Sequence, residues 1–132
     1  MKITAFILVL VLLVVPLAGC GDYEVYYGKS EIYDRKDIDK AVDEVMDEFR
    51  SWRGCKMISL SYAGDERCIK ESESYSRNSK YVYEEYIVIT STFRSPLDGG
   101  ACWNANTIYE GWSWILGRNN CGRWELITSG YA

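Results

Sequence analysis

Histidine is absent from this chain of 132 residues. That single absence removes His-activated nucleophiles, His metal ligands and the imidazole pH switch. Proline is nearly absent too, at Pro16 and Pro96 only. Positive charge is in deficit. Lys2 is the one charge in the first 19 residues, so 14 Lys and Arg face 19 Asp and Glu in the remainder, a net of −5. Nucleic-acid binding needs a basic stripe that releases phosphate counterions, and this balance argues against it. There is no Gly-x-Ser-x-Gly, no phosphate-binding glycine loop, no calcium loop and no Cys-x-x-Cys. Apolar residues make up 48% and charged residues 26%, the proportions of a globular domain. No cofactor or metal is called for.

What is present is concentrated at the N-terminus. Met1-Lys2 forms a short positive lead, and Ile3 to Val15 is an almost unbroken apolar run before Pro16. A membrane span needs about 20 such residues, so the run suits a secretory signal better. Leu17-Ala18-Gly19-Cys20 follows at once and resembles the lipobox of bacterial lipoprotein precursors. That likeness implies cleavage between Gly19 and Cys20 and acylation of Cys20, palmitate being the typical added chain. Each buried methylene contributes about 0.8 kcal/mol, so more than one chain anchors a domain stably. The expected organisation is a signal peptide over 1–19, a lipidated N-terminus and tether over 20–33, and one α+β domain over 34–132. The expected partner is the lipid bilayer, reached through acylated Cys20 on the extracytoplasmic face of the cell membrane.

Asp34, with Asp37 three residues later, reads as a capping-box helix start. Ile38, Ala41, Val42, Val45, Met46, Phe49 and Trp52 then recur at intervals of three and four along one face. Gly54 marks a left-handed stop. The rest reads mainly as strand: 56–63, 80–93, 107–116 and 121–131, with a polar stretch after Gly64-Asp65 that allows a short helix over 66–75. Glu84-Glu85 marks a bulge or solvent-facing kink. The fold class expected is α+β: an N-terminal helix packed on a curved, mainly antiparallel sheet of about four strands.

With Cys20 reserved for lipid, Cys55, Cys68, Cys102 and Cys121 remain. An even number in an extracytoplasmic domain points to two disulfides, with three possible connectivities. Consecutive antiparallel strands bring Cys55 and Cys102 to one end of the sheet, and Cys68 and Cys121 to the other. Joining Cys102 to Cys121 would span a strand of roughly 30 Å. Zinc is the competing use, but histidine and close ligand spacing are missing.

Trp103, Trp112, Trp114 and Trp124 all fall in the last third of the chain. Flat rings offer contact area at low entropy cost and stack on sugar faces, which makes these four the candidate ligand-binding residues. The competing use is plain core filling. The acidic pairs Asp43/Glu44 and Asp47/Glu48 lie on the polar helix face and read as solvated surface. Glu85 and Glu110, on neighbouring strands, form the one carboxylate pair that glycan hydrolysis could use if they met about 5 to 10 Å apart. No other catalytic residue is assigned. Two functions are therefore in play: a non-enzymatic binding module for a protein or cell-wall ligand, and a hydrolase of cell-wall glycans.

One resemblance rests on the lipobox together with Asp37-Ile38, Ala41-Val42, Val45 and Phe49; Gly54-Cys55, Leu60 and Tyr62; Thr90-Ser91-Thr92-Phe93; Tyr109-x-Gly111-Trp112-x-Trp114-Ile115-Leu116; and Trp124 with Gly130-Tyr131. On these residues the chain resembles a family of small lipoproteins of unknown function from Gram-positive Firmicutes. The helix-then-sheet order is similar to cystatin-like and nuclear-transport-factor-like folds. The likeness implies a fold, and no catalytic role comes with it.

Overall fold

A computed structural model describes residues 22–78 and 83–131. The signal segment, Gly19 and Cys20 lie outside the described residues, as do the first three positions of the strand expected from residue 80. The elements run β1 (Glu24–Tyr26), α1 (Arg35–Phe49), β2 (Lys56–Tyr62), α2 (Asp65–Asn78), β3 (Glu85–Arg94), β4 (Ile108–Arg118) and β5 (Glu125–Gly130). The class is α+β, with two departures from expectation. The sheet has five strands in the order β1-β2-β3-β4-β5 rather than four, and a second helix follows β2.

The added strand is β1. Residues expected to be a tether instead pair in parallel with β2, Val25 opposite Leu60, and Tyr23, Val25 and Tyr27 pack on the core. The remaining neighbours are antiparallel, with irregularities at Met57/Ser59, Ser91/Phe93 and Ile115/Leu116. Of the two readings of Glu84-Glu85, the solvent-facing kink holds and the bulge does not: Glu84 is an exposed bend just before β3. It accepts from the Asn120 backbone N–H at 2.9 Å and closes the β4–β5 turn.

α1 begins as its sequence predicts. The Asp34 carboxylate accepts from the Asp37 N–H at 2.8 Å, and the Asp37 carboxylate accepts from the Asp34 N–H at 3.3 Å. Ile38, Ala41, Val42, Val45, Met46 and Phe49 are all buried. The helix ends at Phe49, and a turn through Trp52 carries the chain to Gly54, whose φ of +80° lets it pack against the Pro96 ring.

Side chains alternate along β3. Ile87, Ile89, Ser91 and Phe93 share one face with Leu60, Trp114 and Leu116, the face that α1 covers. Tyr86 belongs to the other face, where it stacks on Tyr75 of α2 with ring centroids 5.2 Å apart. On that side Arg67 of α2 reaches the Ser113 hydroxyl. The two helices therefore lie on opposite sides of the sheet. α2 is thinly held, since Cys68 is its one buried residue.

At the end where α1 starts, Arg118 is buried, its side chain 5% exposed. Its Nη1 donates to Asp37 Oδ1 at 2.9 Å and its Nε to Glu85. The guanidinium carbon sits 4.2 Å from the Trp124 ring centroid and 5.8 Å from that of Tyr33. The Trp124 indole N–H donates to the Asp37 carbonyl at 3.1 Å. Burial alone would push the Asp37 carboxyl up. Its hydrogen bonds from Arg118 and the Asp34 amide outweigh that and hold it below the usual carboxylate range.

Replacing Arg118 by Met leaves Asp37 and Glu85 without their cation, and urea unfolding at pH 7 should show a loss of about 3 kcal/mol. The lowered Asp37 carboxyl contributes stability that is complete above about pH 4, its ordinary range, and is lost as pH falls through its folded value. Acid titration of stability should therefore be steeper for the native protein below about pH 4 than for Arg118→Met. Equal acid limbs would contradict the assignment.

Candidate functional site

The strands place two distinct ends on the domain. The proximal end carries the C-terminus of α1, the start of β2, the β3–β4 loop and Tyr131. The distal end carries the start of α1, the start of β3 and the β4–β5 turn.

The proximal end is aromatic. Trp52 packs against Trp114, Trp103 and Trp112 at centroid distances of 5.0, 5.5 and 5.9 Å. Phe49, Phe93 and Tyr109 continue the cluster, and Tyr131 closes on Trp112 at 5.0 Å. Register explains the grouping: Trp112 and Trp114 lie two apart on the α1 face of β4, opposite Ser91 and Ile89. Trp114 is fully buried and its indole donates to Ser91 Oγ at 2.8 Å. Trp112 Nε1 is buried with no partner among the described residues.

The loop that presents Trp103 is tied at many points. Ser95 exchanges hydrogen bonds with Thr107 and donates its hydroxyl to the Asn104 carbonyl, and Pro96 O accepts from the Gly99 and Asn106 N–H groups. Trp103 N–H donates to Gly99 O at 3.0 Å. Gly99 has φ +80°, and a Cβ there would meet the Trp103 carbonyl at 2.4 Å, so no other residue fits. Trp52 and Trp103, with Arg53, Pro96, Gly100 and Cys102, line an open groove of about 280 Å³. It is walled by half-buried rings that the core leaves accessible.

Three of the four candidate tryptophans thus meet, and Trp124 does not. It lies at the distal end, 1% exposed, under Arg118. Trp52, absent from the sequence-derived candidates, is the ring at the centre of the cluster. Its place at the end of the apolar helix stripe made it read as core.

Glu85 and Glu110 do not meet. Glu85 pairs with Arg118, whereas Glu110 lies near the opposite end of β4. Eight residues of strand put roughly 26 Å between those positions, far beyond any glycosidase separation. Of the helix-face acids, Asp43 and Glu44 border a distal groove of about 360 Å³ with Lys40, Cys121, Arg123 and Trp124. Glu44 pairs there with Arg123, and burial followed by Asp39 and Asp47 pushes the Asp43 carboxyl up. Among the described residues no group of three or more Cys, Asp or Glu is arranged to hold a metal ion.

The expected disulfides are corrected: Cys55, Cys68, Cys102 and Cys121 are free thiols. Cys68 sits on the buried face of α2, donating to the Tyr62 hydroxyl and accepting from the Val88 N–H, both at 3.4 Å. Cys121 is exposed on a turn that borders α1, on the other side of the sheet. Cys55 and Cys102 do share the proximal end. Cys55, however, lines a recess with Tyr23 and Met46, and Cys102 lines the groove beyond Trp52 and Pro96.

A thiol reagent applied to the native protein should modify Cys102 and Cys121 at once and Cys55 slowly. Cys68, whose thiol burial pushes up, should react only as the domain unfolds. A reductant should leave the melting temperature unchanged. Trp112→Phe deletes a donor that has no acceptor among the described residues, whereas Trp114→Phe deletes one that is paired. Urea unfolding should find the first about 1 to 2 kcal/mol milder than the second. Comparison with known proteins adds no relative: no family model, no curated protein and no solved structure matches the chain.

Proposed function

We propose that the protein is a membrane-anchored extracytoplasmic lipoprotein acting as a non-enzymatic binding module, with the proximal aromatic end as its contact surface. The observation that carries the reading is the Trp52–Trp103 groove, whose rings are held by a braced loop yet left open to solvent. Pre-set aromatic walls favour contact with flat or apolar groups at little entropic cost. The apolar run into Leu17-Ala18-Gly19-Cys20 supports acylation of Cys20, and the resemblance to small Gram-positive lipoproteins points the same way. Hydrolysis of wall glycans draws no support from the geometry, because Glu85 is committed to Arg118 and Glu110 stands far from it.

Mass spectrometry of the N-terminal peptide from membranes should find a chain that starts at Cys20 and carries acyl groups. An intact Met1 or an unmodified Cys20 would overturn the anchor. Purified protein incubated with muropeptides should release no product, and turnover abolished by a single carboxylate substitution would overturn the non-enzymatic reading.

A further inference from the structure

The route of the chain into the sheet decides which end of the domain lies nearest the anchor. β1 runs parallel to β2 with Glu24 opposite Ser59, so the chain enters at the proximal end, where β2 begins. Gly21 and Asp22 alone separate Cys20 from Tyr23. A fully extended chain covers at most about 3.6 Å per residue, so Tyr23 stays within about 11 Å of Cys20. Acyl chains on Cys20 would therefore hold the proximal end against the bilayer rather than let the domain float free of it.

The side chains at that end suit such a position. Leu97 occupies the corner of the turn closed by the Gly99 N–H on Pro96 O, and is 81% exposed. Tyr131, against Trp112, is 59% exposed and Ile108, at the start of β4, is 45% exposed, at the same end as the half-buried rings of Trp52 and Trp103. Exposed aliphatic tips beside tryptophan and tyrosine make the composition that settles at the headgroup boundary, rings at the interface and aliphatics just below. Arg50, Arg53, Lys56 and Arg94 at this end are nearly balanced by Asp22, Asp98 and Glu110, so apolar contact rather than charge carries the attraction.

We propose that the partner of the proximal end is the bilayer surface itself, with Leu97 and the Trp52–Trp103 rim seated at the headgroup boundary as a second contact beside the acyl chains. This rests on the reading of Cys20 as lipidated. It gives the domain a fixed orientation, with the β4–β5 turn and the Cys121 groove facing away from the membrane.

The exposed thiols at the two ends make the test internal. Acylated full-length protein is reconstituted in phosphatidylcholine–phosphatidylglycerol vesicles, with a fluorophore on Cys102 in Cys121→Ser, or on Cys121 in Cys102→Ser. Spin-labelled lipids should quench the Cys102 probe several-fold more than the Cys121 probe. Leu97→Asp should reduce that difference while the protein still floats with the vesicles. Equal, weak quenching of both probes on floating protein would overturn the orientation and leave the anchor standing. Failure to float, with no acyl mass on Cys20, would overturn both. Shielding of the Cys102 probe by purified peptidoglycan, with none by vesicles, would assign the surface to a wall polymer and overturn the bilayer as partner.

Discussion

The buried guanidinium of Arg118 is the constraint on which the distal half of the domain depends. A cation 5% exposed bears a desolvation cost of several kcal/mol, which only close partners can offset. Those partners come from three separated stretches: Tyr33 and Asp37 from either side of the start of α1, Glu85 from the start of β3 and Trp124 from the chain before β5. Each is itself held. Asp37 is in the helix capping box, Tyr33 donates to the Tyr86 carbonyl at 2.7 Å, and the Trp124 indole donates to the Asp37 carbonyl. One charge thus sets the position of α1 along the sheet at its N-terminal end. It also commits Glu85 structurally, since a carboxylate bonded to a buried arginine is a poor general acid or base.

α1 was readable because its apolar residues repeat with the helical period and its cap is local. The antiparallel strands were readable because β-branched and aromatic residues run together between turn residues. β1 was not, because three residues of a polar stretch have no period of their own and become a strand only by pairing with β2, more than thirty positions away. α2 buries Cys68 alone, so its apolar stripe was too thin to distinguish a helix from a loop.

The cysteines show a sharper limit. Their strand ends followed from connectivity, and Cys55 and Cys102 do share one end. Which face of the sheet a thiol takes depends on where α2 docks, and docking is decided by contacts such as Tyr75 on Tyr86 that no local pattern encodes. The tryptophans divide for the same reason. Trp112 and Trp114 could be paired from their spacing of two, but the separation of Trp124 requires Arg118 to be recognised as buried. A lone arginine at a strand end reads as exposed.

The two ends of the domain are closed by different physics, and this bears on what each can do. Ionic closure at the distal end commits Asp37 and Glu85 to Arg118, and Glu44 to Arg123, and leaves Trp124 buried. Aromatic closure at the proximal end needs no partner for most of its surface, so rings can be half-buried while a single buried side-chain donor among the described residues, Trp112 Nε1, goes unmet. Trp52 and Trp103 are stable in that state because the braced loop and the Gly54–Pro96 contact hold them whether or not anything covers them. A surface made this way is rigid, apolar and available before any partner arrives. Little ordering entropy then opposes binding, and the only large gain left is removing the exposed rings and Leu97 from water. The proximal end is therefore the part of the described domain where contact with a second phase or molecule is favoured by the fold itself.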